Sequence, residues 1–302
     1  MSVHLCPVPH VSPLDAVGLV ALGLFAGWLG AVIGIGGGII IVPAIVVGFG
    51  YDVRVAVATS LVAVVATSTA AGSAYVGEGL ANMRLGMTLE IATTIGGMTG
   101  GLVAVVVAPS VISALFAVVM IVTAALMLRG RDEHGAVPDE SPTETEPGAL
   151  MEGYELPGRL AGAYFDHHRQ TMVAYEAEDL ATGASVSALA GVVSGLLGVG
   201  GGFLKVPAMT LGMRVPIKVA AATSNFMIGV TAIASLFIYF ARGFVHPLIS
   251  VPLTIGVVVG ALGGAHSSVR ISPVILRRIL VVVLLCVAAQ MGLEAFGVHF
   301  GR

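Results

Sequence analysis

Long apolar runs separated by short polar or basic stretches dominate the chain, beginning at Leu14, Val55, Leu85, Val111, Ser185, Val219, Leu248 and Val274. Each can supply a helix of about 20 residues, the length that crosses a hydrocarbon core. The pattern predicts an all-α integral membrane protein of about eight transmembrane helices. The first run of each set of four is too long for one straight helix and is interrupted by a glycine triplet and a proline. A pair of half-helices or a re-entrant hairpin is therefore expected at both places. Four spans per set would make two parallel repeats, and an odd number would make them inverted.

The two sets share a register. Gly27 and Gly191 are 191 − 27 = 164 residues apart, and the same offset pairs Gly34 with Gly198, Pro43 with Pro207 and Gly48 with Gly212. It goes on to pair Thr59-Ser60 with Thr223-Ser224, Tyr75 with Tyr239, Gly96 with Gly260, Gly100 with Gly264 and Pro109 with Pro273. A register this long points to two homologous halves. We divide the chain into a first transmembrane repeat (1–128), an acidic solvated linker (129–183) and a second transmembrane repeat (184–302).

Composition fixes the solvent. The chain is 57% hydrophobic and 10% charged, with a mean hydropathy of +1.00, values that exclude an ordinary water-soluble domain. The expected environment is the lipid bilayer of the cell membrane, crossed several times. The net charge of −3 hides a segregation, because acidic residues concentrate between Arg129 and Leu180. Nothing favours a nucleic-acid partner, and a homo-oligomer is compatible with the glycine content. Cys6 and Cys286 have no neighbours at metal or redox spacing, so neither a metal nor a cofactor is expected. The linker reads as a tether whose end, with Tyr164, Phe165, Tyr175 and Leu180, suits a short surface helix. The start of the chain lacks a basic signal-peptide region, so its first apolar run is expected to remain as a span. With four spans per half, both termini and the linker share one face, which the basic residues weakly favour as external.

Candidate chemistry centres on Gly34-Ile35-Gly36-Gly37-Gly38 with Val42-Pro43-Ala44, and on Gly198-Val199-Gly200-Gly201-Gly202 with Val206-Pro207-Ala208. Consecutive glycines unwind a helix, and freed backbone groups at membrane depth must be buried in protein or line a wet cavity. Helix starts near Ile39 and Phe203 would aim amides at one point, where an anion would bind. Simple close helix crossing of the small-residue kind is the alternative, but it is strained by the backbone groups that the break leaves open. Thr59, Ser60, Thr223, Ser224 and Asn225 follow at matching positions and could complete the coordination of an oxyanion. Lys205, opposite Ile41 in the first set, either snorkels to the surface or binds the anion. The substrate-binding set is therefore Gly36, Gly37, Gly38, Thr59, Ser60, Gly200, Gly201, Gly202, Lys205, Thr223, Ser224 and Asn225.

Other features read more plainly. Tyr75 and Tyr239 suit interfacial anchors. Glu90 is the main candidate for ion coupling, although a surface pair with Arg84 is the ordinary explanation. Ala92, Gly96, Gly100 and Gly256, Gly260, Gly264 recur every four residues and are read as packing faces between the halves.

The doubled pattern G-x-G-G-G-x-x-x-V-P-A, each copy followed by A-T-S, resembles the sulfite exporter TauE/SafE family of membrane permeases. The resemblance runs from about Val17 to Leu293, with the acidic insert as a departure. It implies a permease, not an enzyme, that moves a small anion such as sulfite, a sulfonate or a related organic acid. Two alternatives stand beside it. One is a membrane scaffold or sensor that recruits partners through the linker. The other is an intramembrane hydrolase with Ser194 as nucleophile and His266 as base, whose first-half equivalents are Gly30 and Leu102.

Overall fold

The computed structural model describes residues 12–77, 79–129, 160–166 and 171–267, with 281–282, 285–286 and 288–292 towards the end of the chain. Among these, six helices are long and apolar enough to cross a membrane. Helix α1 (Pro13–Ile33) starts on a capping box, in which the Asp15 amide donates to Ser12 Oγ at 3.1 Å and the Ser12 amide to Asp15 Oδ2 at 3.0 Å. It ends where Gly34 turns left-handed, and the chain resumes as the short helix α2 (Gly38–Pro43). Pro43 has no N–H to continue the ladder, and a π turn over Ala44–Gly48 follows. Three long helices come next: α3 (Val53–Gly77), α4 (Met83–Val106) and α5 (Pro109–Arg129).

The second set repeats these bounds. α6 (Leu180–Leu197), α7 (Gly202–Pro207), a π turn over Ala208–Gly212, α8 (Ile217–Ala241) and α9 (Pro247–Ser267) follow in order. The short helices, the π turns and the long helices after them each begin 164 residues after their counterparts, as in 202 − 38 and 217 − 53. The run expected from Val274 lies mostly outside the described residues, and those described within it are helical.

At both breaks the chain doubles back. A Cβ on Gly18, near the start of α1, would stand 3.3 Å from the Phe49 ring, and one on Gly212 would stand 3.6 Å from Thr182, near the start of α6. Each first run is thus a hairpin that returns to the face it left. Three long helices then follow in the first set. Gly256, Gly260 and Gly264 of α9 meet the backbone of Val20, Leu24 and Trp28, so α9 runs parallel to α1. Gly96 and Gly100 of α4 meet Ala188 and Val192 in the same sense, so α6 runs parallel to α4. Together the hairpins and directions put the start of α6 at the opposite face from Ser12. The expectation that the linker shares a face with the N-terminus is corrected: it counted each broken run as one crossing.

The linker residues 130–159 and 167–170 lie outside the described ones. The remainder is not the expected surface helix but an antiparallel pair, β1 (Gly162–Asp166) and β2 (Thr171–Tyr175), with Tyr164 opposite Val173. Aromatic and branched residues suit a half-buried strand better than a helix. Tyr164, Val173 and Tyr175 pack on Leu85, Leu89, Met209, Met213 and Val219. Asn82, the N-cap of α4, donates from Nδ2 to the Tyr175 hydroxyl at 3.1 Å, and burial pushes that phenol's pKa up.

The glycine faces generate a prediction. Gly100→Val must push a side chain into the Val192 backbone, and overpacking of this kind costs about 1–3 kcal/mol. Gly263→Ala meets no atom within 4 Å among the described residues and gains about 1 kcal/mol of helix propensity. Thermal unfolding in detergent should fall for the first and hold or rise for the second.

Candidate functional site

The two glycine breaks are built from left-handed backbone: φ is +81°, +81° and +75° at Gly34, Gly36 and Gly37, and +69°, +81° and +71° at Gly198, Gly200 and Gly201. L side chains rarely adopt these angles. The breaks also meet each other. Ser60 on α3 donates from Oγ to the Gly198 carbonyl at 2.8 Å, and Ser224 on α8 donates to the Gly34 carbonyl at 3.3 Å. Each hydroxyl therefore closes a carbonyl opened in the other set of helices. A Cβ on Gly38 would stand 2.9 Å from Ser60 Oγ, and one on Gly202 would stand 3.0 Å from the Ile35 Cα. Val64 and Ile228, themselves 164 residues apart, both border Gly36 and Gly200.

The remaining polar residues form a shell around this junction. Asn225 donates from Nδ2 to the Ala31 carbonyl at 3.2 Å, and Thr223 Oγ1 accepts from the Asn82 amide at 2.9 Å. Thr59 Oγ1 and Asn225 Oδ1 are buried without a hydrogen-bond partner among the described residues. Ser68, which the sequence reading passed over, donates to the Asn225 carbonyl. Tyr75 and Tyr239 are not interfacial anchors. Both are buried, and their hydroxyls donate to Ala31 and Gly195 at 3.1 Å, carbonyls at the same place in the two sets. Their matching positions were visible in the sequence, but the direction of their side chains was not.

Lys205 does not snorkel. It is 0% exposed and lies one turn beyond Gly201 on α7, where its amide donates to the Gly201 carbonyl at 3.2 Å. Its Nζ donates to Thr231 Oγ1 at 3.0 Å and stands 3.6 Å from Glu90 Oε2. Thr231 in turn donates to Glu90 Oε1 at 2.6 Å, and Thr94 donates to the same oxygen at 3.1 Å. Glu90 is therefore no surface partner of the exposed Arg84; its helix faces it inward. Thr231 matches Thr67 at the 164-residue offset, a signal that could have drawn attention to it. Lys205 and Glu90 correspond to Ile41 and Thr254, so the ion pair joins the two sets of helices and has no counterpart at the offset positions.

Ser194 is buried with no partner for its Oγ among the described residues, while His266 is exposed in the last turn of α9. Helix α9 packs on α1 and α6 packs on α4. No described hydrogen bond joins the two side chains, so the geometry gives a nucleophile–base dyad no support.

Stacked apolar helices, two broken hairpins meeting inside them and a buried ion pair define a multi-pass membrane protein of the transporter class. The family model for the sulfite exporter TauE/SafE matches residues 19–291, and the chain belongs to that family. It is similar to the probable membrane transporter protein YunE of Bacillus subtilis (strain 168), 29% identical over 281 residues, covering 90% of this chain and 96% of that one. A probable membrane transporter protein of Xylella fastidiosa (strain Temecula1) is 26% identical over 271 residues, with 89% and 88% covered. The probable membrane transporter protein MJ0441 of Methanocaldococcus jannaschii is 23% identical over 286 residues, with 91% and 93% covered. No solved structure matches the chain.

Two substitutions test the site's architecture. Ser60→Ala leaves the buried Gly198 carbonyl without its described side-chain donor, at a cost of about 1–3 kcal/mol. Lys205→Met strands a buried carboxylate, at about 3–5 kcal/mol, and adding Glu90→Leu should recover much of that loss. Unfolding of the single and double variants in one detergent checks both expectations.

Proposed function

We propose that the chain is a permease for a small anion, such as sulfite, a sulfonate or a related organic acid, with its path at the junction of the two glycine breaks. The observation that carries this reading is the reciprocal closure of Gly198 by Ser60 and of Gly34 by Ser224. It joins two half-helix starts inside the bundle, where transporters of repeated design hold their substrates. Gly37 and Gly201 have no side chain to cap α2 and α7, which leaves the first amides of both helices to other acceptors. Thr59, Asn225 and Lys205 add polar groups to the surroundings. The matching family's description, sulfite exporter, supports the anionic class.

In this reading residues 1–128 and 184–302 are two repeats, and 129–183 is the linker. The hairpin at the start of each repeat makes the number of net crossings odd, so the repeats are inverted. Alternating access then follows as a rocking of one repeat against the other about the glycine junction. Ser60 and Ser224 would exchange partners as the junction opens.

Purified protein in liposomes, loaded with radiolabelled sulfite or a small alkanesulfonate, tests the proposal. Flux should fall at least about tenfold in folded Gly37→Val and Gly201→Val variants, because a β-branched residue does not tolerate these backbone angles, and should persist in Ser194→Ala. Wild-type liposomes that move none of these anions under imposed gradients would reject the substrate class. The scaffold alternative predicts that deleting residues 132–159 removes a partner with no transport to lose; the permease reading predicts that flux survives the deletion.

A further inference from the structure

The ion pair does not complete the glycine junction, and its asymmetry asks for a separate role. Lys205 is the charged residue of α7, reached one turn after the break, and it is buried together with Glu90. The two oxygens of Glu90 differ. Oε1 accepts from both Thr94 and Thr231, whereas Oε2 faces Nζ at 3.6 Å and is buried without a hydrogen-bond partner. Thr231 bridges the two charges, donating to the carboxylate while accepting from the ammonium. A carboxylate held by one oxygen, with the other left open beside a cation, can take a proton on the open oxygen without losing its anchors.

We propose that Glu90 is a proton-binding site coupled to anion binding at Lys205, so that one proton travels with the anion; this rests on the permease reading above. In the closed pair the charges cancel. An anion that takes Glu90's place beside Nζ would leave two negative charges around one ammonium at membrane depth, an arrangement that burial penalises heavily. Transfer of a proton from water to Oε2 removes one of them. The neutral acid keeps its bonds from Thr94 and Thr231 through Oε1, and Nζ is freed to donate to the anion. Release of the anion on the other side lets the proton leave, and the pair closes again.

Few other charges face the pair. Helix α6, packed on α4, carries no titratable side chain. Helix α8 carries Lys218 at its first turn and Tyr239 near its end, the latter held by the Gly195 carbonyl. Arg84, on α4 itself, is exposed, and Tyr175 meets Asn82 at that helix's start. Lys205 is therefore the charged group in direct contact with Glu90 among the described residues.

The test uses the full chain in liposomes and a radiolabelled alkanesulfonate, whose own charge does not change between pH 5 and 8. An inward proton gradient should raise wild-type accumulation about tenfold or more over matched pH, with alkalinisation outside reported by a pH dye. In Glu90→Gln the ratio with and without the gradient should fall to about one, and any remaining exchange should lose its dependence on pH. Glu90→Asp, which keeps a carboxyl, should restore a gradient effect and serves if the Gln variant does not fold. Wild-type flux that ignores the proton gradient, or a gradient effect that survives in Glu90→Gln, would overturn the coupling while leaving the permease reading intact. Wild-type liposomes that move neither the sulfonate nor sulfite nor a small organic acid would overturn both.

Discussion

A break in a helix at membrane depth has no water to repair it, and the rest of this structure is arranged around that constraint. The carbonyls opened at Gly34 and Gly198 are closed by Ser224 and Ser60 from the opposite set of helices. One turn earlier, Ala31 and Gly195 are closed by Tyr75 and Tyr239 from the same set. Local repair and cross-repair combine at each break, and the Ala31 carbonyl takes both, from Tyr75 and from Asn225. The local bonds hold each hairpin, and the crossed bonds hold the two hairpins together, so the place where the backbone is weakest is also where the two sets are joined.

Much of this was legible in the sequence, for identifiable reasons. Apolar runs of spanning length and the 164-residue register located the helices because lipid leaves a long, unambiguous hydrophobic signal. The glycine triplets marked both breaks because few other residues accept a left-handed backbone. The matched A-T-S segments placed Ser60 and Ser224 in equivalent roles, although as anion ligands; the structure uses their hydroxyls on backbone carbonyls. What stayed illegible was direction. Whether Tyr75 points to the interface or to Ala31, and whether Glu90 faces Arg84 or Lys205, depends on helix rotation, and helices that are apolar on every side leave little pattern to set it. The hairpin was one of two options until Phe49 was placed beside Gly18.

The buried pair departs from the 164-residue register that the glycine breaks follow. At the positions 164 residues away from Lys205, Thr231 and Glu90 the chain carries Ile41, Thr67 and Thr254. Two charges and a shared hydroxyl, drawn from α4, α7 and α8, therefore have only uncharged residues at the offset positions. The polar groups that break the symmetry sit on α4, α7 and α8, the helices under the β1–β2 hairpin and its neighbours.

The parallel contacts of α1 with α9, and of α4 with α6, also constrain how the chain is made. Gly23 and Gly27 have their close backbone neighbours at Leu253 and Val257, so α1 enters the bilayer with its matching groove not yet synthesised. From Ile33 to Pro247 the ribosome must add 247 − 33 = 214 residues, which at roughly 5–20 residues per second takes about 10–40 s. During that interval the first hairpin carries an open backbone and an unmatched small-residue face in lipid. Assembly of this protein thus waits on its second half, and a chain truncated before α9 would present the quality-control machinery with a first helix that has nowhere to dock.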